Sequence, residues 1–299
     1  MPVRTLRLDR PLDLVLTLGA LVHGRADPTI RVGRTRVIRA TRTPAGPAAM
    51  LLELAGDRVR VETWGPGADA ALEGAPDLIG EHDDLSGFEP RSHPLIAELA
   101  RRATGLRIGR SGAVFEALLP AILEQKITGT EARRAYRGLI AAHGEPAPGP
   151  LGLRLAPAPE VLAALPYYAY HPFGIEQRRA DLIRRVARDA AALDALVGRP
   201  LPDAYRRITA YPGIGPWTAA EVGVRALGDP DAVSVGDFHL PSLVAWALAR
   251  EPRADDARML ELLEPWRGHR ARVVRLLETS GISAPRFGPR LAPRSIAGI

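Results

Sequence analysis

The chain has 299 residues, 46% of them hydrophobic and 25% charged, ordinary values for a globular protein large enough for two or three domains. Its formal net charge is +6, which allows a polyanionic partner, and it contains no cysteine, which excludes disulfides, iron–sulfur clusters and thiolate zinc sites. No run of about 18 apolar residues offers a membrane span, and the opening residues lack the apolar core of a secretory signal. Lys126 is the only lysine among 40 basic residues.

The first 90 or so residues read as strands. Asp13 to Leu18 partly alternates, and Thr29 to Thr41 is β-branched and mostly alternating. Ala49–Leu54 and Arg58–Thr63 are expected to pair across a turn at Gly56–Asp57. Gly67 to Ile79 reads as one helix lying on this sheet. His82 to His93 has turn chemistry without an apolar period and sets the expected boundary.

From Pro94 the helical period takes over. Leu95, Ile96, Leu99 and Ala103 share a face, as do Val114, Leu118, Ala121, Ile122 and Gln125. Pro120 lies within the second of these helices and is expected to kink it or to mark its first turn. Thr128 and Glu131 have capping-box spacing, and Gly144 supplies the stop. Residues 145–159 contain five prolines and read as a loop. Further helices are expected near 158–164, 176–195, 203–211, 216–227, 238–249, 255–263 and 266–280. The tail from Ser283 is rich in Pro, Arg and Gly and is expected to be loosely ordered. The fold class is therefore α+β: an N-terminal antiparallel sheet domain with a helix (1–90), then an all-α region (91–299, ordered core about 94–282).

The stretch from Ile208 to Asp237 carries the chemistry. Pro212-Gly213-Ile214-Gly215 lies between two helical segments, and its glycines permit a tight hairpin with uncovered amides. Pro216 suits a helix first turn. Hairpin amides and helix start together suit an anion such as a DNA phosphate, read through backbone without sequence preference. Alone, the turn reads equally well as an ordinary helix–loop–helix corner. Asp237 follows Gly215 by 22 residues, after Gly228-Asp229-Pro230 and Val233-Ser234-Val235-Gly236.

This arrangement resembles the helix-hairpin-helix glycosylase superfamily, whose signature is a hairpin, a Gly/Pro-rich loop and an aspartate. Three more stretches resemble the branch that includes 3-methyladenine DNA glycosylase II: Ile122 to Thr128, Phe173 to Ala180, and Glu264-Pro265-Trp266-Arg267. The likeness is strongest over about 94–280. It implies removal of alkylated purines (3-methyladenine-like) from duplex DNA in base excision repair, with Asp237 as catalytic carboxylate. Departure of a base leaves an oxocarbenium-like sugar, which a carboxylate stabilises while it orients or deprotonates water. An alkylated purine already carries positive charge and leaves without a second acid. Asp237 also suits the N-cap of the next helix, and one residue can serve both ends.

Bifunctional glycosylase-lyases carry a lysine two residues after the last hairpin glycine. Trp217 stands there, so the resemblance implies attack by water and an intact abasic strand. Trp217 reads either as a wall of the base pocket, where its face would attract a cationic base, or as hairpin core. In the resembling family a wedge that fills the gap left by the extruded base follows the glutamine of the Gln125 motif. Here it is Lys126, which reads as wedge, phosphate contact or surface charge. Gln125 reads as a base contact or a cap on its turn. Tyr168 and His171 read as pocket or interhelical packing, and Trp266 as pocket wall or core. The expected DNA contacts are Gln125, Lys126, Pro212, Gly213, Ile214, Gly215 and Thr218. Arg178, Arg179, Arg184, Arg185 and Arg188 read as a solvated face, part of it available to touch DNA. The expected partner is duplex DNA with damaged bases. No metal or cofactor is expected beyond a monovalent cation that such hairpins can hold, and the chain is expected to be a cytoplasmic, nucleoid-associated monomer. The rivals are a non-catalytic DNA-binding protein built on the same hairpin and a bifunctional glycosylase-lyase.

Overall fold

The computed structural model describes residues 1–285; most of the expected loose tail lies outside them. Five strands, β1 (Val3–Arg7), β2 (Ile30–Val32), β3 (Arg36–Thr43), β4 (Gly46–Ala55) and β5 (Arg58–Trp64), form an antiparallel sheet in the order β1-β5-β4-β3-β2. Ala55 pairs with Arg58 across Gly56–Asp57, as the sequence suggests. The long alternating run from Thr29 is a hairpin rather than one strand, closed where the Gly33 amide donates to Arg36 O (2.8 Å).

Asp13 to Leu18, read as a strand, is helix α1 (Leu14–Leu18). Asp13 Oδ1 accepts the Val15 and Leu16 amides (2.8 and 2.9 Å), a cap that competes with extended pairing, while Leu14 and Leu18 are buried on the sheet. The single helix expected over 67–79 is two, α2 (Ala68–Glu73) and α3 (Ala75–Leu78). They part at Gly74, and Pro76 lies in the first turn of α3.

The sheet is covered on both faces. Val37, Leu52, Met50, Val59 and Val61 pack with α1, α2 and α3. On the other face Ile38, Ala40 and Leu51 meet Leu153 and Leu155. That second cover is the proline-rich segment, where the two-residue strands β6 (Glu145–Pro146) and β7 (Arg154–Leu155) pair. Arg39, in the sheet and 5% exposed, pairs with Glu116 (2.8 Å), and Thr41 Oγ1 donates to the same carboxylate (2.7 Å).

The helical region begins with α4 (Pro94–Arg102), α5 (Val114–Leu123) and α6 (Gly129–His143), the last opened by the Thr128–Glu131 capping box. Next come α7 (Pro159–Ala164), α8 (Gln177–Arg188), α9 (Ala190–Asp194), α10 (Leu201–Thr209) and α11 (Pro216–Val222). The chain closes with α12 (Leu240–Ala249), α13 (Asp256–Leu263) and α14 (Arg270–Thr279). Pro120 sits inside α5.

These helices build two cores. Leu118, Leu119 and Ile122 of α5 pack with Tyr136, Ile183, Val186, Ile208 and Val222. Ile96 and Leu99 of α4 instead join Val244, Met259, Leu263, Trp266, Val273 and Leu277. The 82–93 segment is tied to the second core. Arg272 donates to both oxygens of the buried Asp83 (3.0 and 2.5 Å), and Trp266 Nε1 donates to Glu89 O (2.9 Å). No helix among the described residues is long and apolar enough to cross a membrane.

Candidate active site

The turn between α10 and α11 is closed by the Ile214 amide donating to Tyr211 O (2.9 Å). Gly213 has φ +106°, a conformation that disfavours any side chain, and a Cβ there would lie 3.1 Å from Leu182. Gly215 is extended, caps α11 and faces open space. Ile214 is buried and anchors the turn. Gln125 Nε2 donates to Gly213 O and to Thr218 Oγ1, both at 2.9 Å, so the end of α5 braces the hairpin. Arg185 adds a bond to Pro212 O (3.0 Å). Lys126 follows, exposed and with φ +56°. That left-handed conformation costs a non-glycine residue roughly 1–2 kcal/mol.

Asp237 sits in the connection from α11, which belongs to the first helical core, to α12, which belongs to the second. Its Oδ1 accepts the amides of His239 (2.7 Å) and Leu240 (2.9 Å) at the start of α12. Its Oδ2 accepts the indole Nε1–H of Trp217 (3.1 Å). A carboxylate offers about four lone-pair directions. Three are taken by N–H donors, which leaves one on Oδ2. Asp237 is half-buried and borders an open cleft of about 730 Å³, partly continuous with solvent. Gly236, at φ +93°, makes the bend before it, and the Gly236 amide donates to both oxygens of Asp256 (3.1 Å each).

No family model matches the chain. It is 32% identical over 151 residues to a probable bifunctional transcriptional activator/DNA repair enzyme AlkA of Mycobacterium tuberculosis. That match covers 49% of this chain and 30% of the relative, so the chain spans less than a third of that protein's length. It is 25% identical over 227 residues to the DNA-3-methyladenine glycosylase of Bacillus subtilis, covering 73% of this chain and 74% of that one. Among solved structures, the 3-methyladenine DNA-glycosylase of Archaeoglobus fulgidus has the same fold. Its TM-score is 0.77 at 20% identity, over 92% of this chain and 97% of the other. The chain is thus similar in sequence to DNA glycosylases and shares the fold of one of them.

Within this glycosylase fold the expected residues separate. Asp237 and Trp217 meet directly, and Gln125, Gly213 and Thr218 meet at the hairpin. Thr218 and Ile214 are 2% and 5% exposed, so their side chains hold the turn together and do not face outward. Trp266 is 2% exposed in the second helical core and lines no part of the cleft, because its indole is drawn inward by Glu89 O. Tyr168 is 63% exposed. Tyr168 and His171 stand edge-on to Tyr167 (5.8 and 5.6 Å) and are not in the cleft lining. Arg179 is not part of a solvated face: it is buried and donates to Leu123 O (2.9 Å), satisfying the end of α5.

Several residues at the site escape a sequence reading. Glu221, Arg225 and Arg275 line the cleft beside Asp237, as does Ser234. Glu221 Oε1 accepts the Ser234 hydroxyl (2.5 Å), and Glu221 Oε2 accepts Arg225. Burial works against the Arg225 charge, but Glu221 and Glu124 outweigh it and hold the guanidinium above its ordinary value. After Val222 the helix widens into a single π turn (Gly223–Leu227), and Gly223 there has no room for a side chain beside the Tyr205 hydroxyl. Phe238 is 84% exposed, the most exposed large hydrophobic side chain among the described residues, and stands next to Asp237. The spacing of Trp217, Glu221 and Arg225 was the one sequence signal available: residues four apart share a helix face. Among the described residues no group of His, Asp and Glu is arranged to hold a metal.

Proposed function

We propose that the chain is a monofunctional DNA glycosylase that hydrolyses the N-glycosidic bond of alkylated, 3-methyladenine-like purines in duplex DNA, as part of base excision repair. The observation that carries this reading is the carboxylate of Asp237, oriented by three N–H donors, with one lone pair without a donor, in the lining of an open cleft. Such a group stabilises positive charge developing at C1′ and orders the attacking water. Asp237 has no ion-pair partner among the described residues, whereas the cleft's other charges pair as Glu221–Arg225 and Arg275–Glu278. The cleft therefore keeps an uncompensated negative charge, which favours a cationic base. The names of the relatives agree with this chemistry.

Trp217 occupies the place of the lyase lysine and is bonded to Asp237, which supports water as nucleophile. In this reading the hairpin amides hold a DNA phosphate, and Lys126, at the exposed tip that Gln125 braces, occupies the gap left by the extruded nucleotide. Phe238 contacts the opened strand beside it. The test is incubation of the protein with alkylated duplex DNA and identification of the released bases by chromatography. Release of 3-methyladenine, lost in Asp237→Asn, supports the reading. No released base at stoichiometric protein would sink it and leave DNA binding without catalysis.

A further inference from the structure

The side chains around Asp237 differ in kind from the aromatic pocket that the sequence suggests. Apart from His239, the cleft lining contains no aromatic ring. Its walls are aliphatic, from Val224, Leu243 and Val274, and its polar groups besides Asp237 are Glu221, Arg225, Ser234, His239, Arg275 and Glu278. Stacking between rings tolerates changes at the edge of a base. Oriented acceptors do not, because a missing partner leaves them unpaired.

Glu221 is held for such a role. It lies one helical turn after Trp217, so α11 presents both toward the turn that carries Asp237. Trp217 holds Asp237, while Glu221 holds Ser234, whose carbonyl accepts the Asp237 amide (3.1 Å). Ser234 and Arg225 each occupy one oxygen of the Glu221 carboxylate, and each oxygen keeps a further lone pair. The acceptor is thus fixed before any base arrives, with its side chain 17% exposed toward the cleft.

We propose that Glu221, oriented by Ser234 and Arg225, is the specificity-determining acceptor of this site and reads an exocyclic amino or ring N–H edge of the extruded base. This rests on the glycosylase reading and adds the rule by which the base is chosen: by hydrogen bonds to its edge rather than by stacking. A bond to a charged acceptor, lost with the acceptor left in place, changes a rate by about 10- to 100-fold.

The experiment compares two methylated duplexes, one with adenine and one with unsubstituted purine at the target position, which differ by the 6-amino group alone. Single-turnover release is divided by spontaneous loss from the same duplex. The wild type is expected to favour the amino-bearing base by about 10- to 100-fold. Glu221→Gln is expected to lower that preference by about 10-fold through slower release of the amino-bearing base, because charge-assisted bonds are roughly twice as strong as neutral ones. Ser234→Ala, which only frees the acceptor, is expected to lower it in the same direction. Equal release of both bases by the wild type overturns the proposal. So does equal slowing of both by Glu221→Gln, which would reduce Glu221 to a brace for the Asp237 turn. Calorimetric binding of free 3-methyladenine and 3-methylpurine in the presence of an abasic duplex repeats the comparison without bond cleavage. A protein that releases neither base yet binds the amino-bearing one more tightly contradicts the glycosylase reading and keeps the assignment of Glu221; equal affinities overturn that assignment.

Discussion

The indole of Trp217 donates its N–H to Asp237 Oδ2 across 3.1 Å, joining the first turn of α11 to the loop that opens α12. The bond links the two helical cores at the point where the cleft lies, and with the His239 and Leu240 amides it leaves one lone pair of the carboxylate, on Oδ2, without a donor. Asp237→Asn keeps the shape but removes the charge. Base release is expected to fall by roughly 10²-fold or more, with affinity for an abasic-site duplex retained. Trp217→Phe keeps the ring but not the donor, and an intermediate loss is expected. Single-turnover rates decide: an asparagine variant within a few fold of wild type would remove Asp237 from the mechanism.

Because Trp217 stands two residues after Gly215, no amine is placed to attack C1′ from α11. Borohydride added during turnover is therefore expected to trap no protein–DNA adduct, and the product strand should stay intact until alkali cleaves it. An adduct that vanishes in Lys126→Ala would make Lys126 the nucleophile and the protein a lyase.

The two hairpin glycines are expected to differ. Gly213 has positive φ and Leu182 against it, whereas Gly215 is extended and faces open space. Gly213→Ala should displace the turn and weaken binding to all duplexes alike, since backbone contacts carry no sequence preference. Gly215→Ala should cost little. Wild-type affinity in a folded Gly213→Ala variant, measured by fluorescence anisotropy, would leave the hairpin a structural corner.

Lys126 is the exposed residue at the tip that Gln125 braces. If it fills the gap of the extruded nucleotide, Lys126→Ala should reduce preference for lesion-analogue over intact duplex and slow base release. Equal losses on both duplexes, with the salt slope lowered by about one, would instead mark a phosphate contact.

Asp194 gives a pH-dependent test away from the cleft. It accepts the Phe115 amide at the start of α5 (2.9 Å), and burial, with Glu116 nearby, pushes its carboxyl up to about 6. The folded value is above the ordinary one. The stability it lends is therefore complete below about pH 4 and is lost as pH rises through 6. Asn keeps the acceptor without the charge. Asp194→Asn is expected to stabilise the protein by roughly 1–3 kcal/mol at pH 7.5 and to change little at pH 4. Equal shifts in melting temperature at both pH values would show that titration is not the cause.

Features that depend on neighbours in the chain were legible in the sequence. The Gly56–Asp57 hairpin, the Thr128–Glu131 capping box and the tight turn at Pro212–Gly215 each rest on a few adjacent residues with conformations that few alternatives share. The separation of Asp237 from that turn could also be read, because a helix and a loop of known length span it. Local chemistry overrode periodicity at Asp13, where a capping carboxylate turned an alternating run into helix.

Contacts between distant segments were left to the tertiary structure. Trp266 lies in a motif that could face either way, and only the position of Glu89 O and the packing of α4 on α14 draw it into the core. The alternation of β3 gives no hint that residues 145–155 cover its second face, since a proline-rich loop carries no period of its own. Glu221 and Ser234 are 13 residues apart and ordinary in type, and they become a fixed acceptor only when α11 folds back on the Asp237 loop. Hydrophobic pattern reports which face of an element is buried. It does not report which distant element buries it, because that depends on the packing of the whole chain.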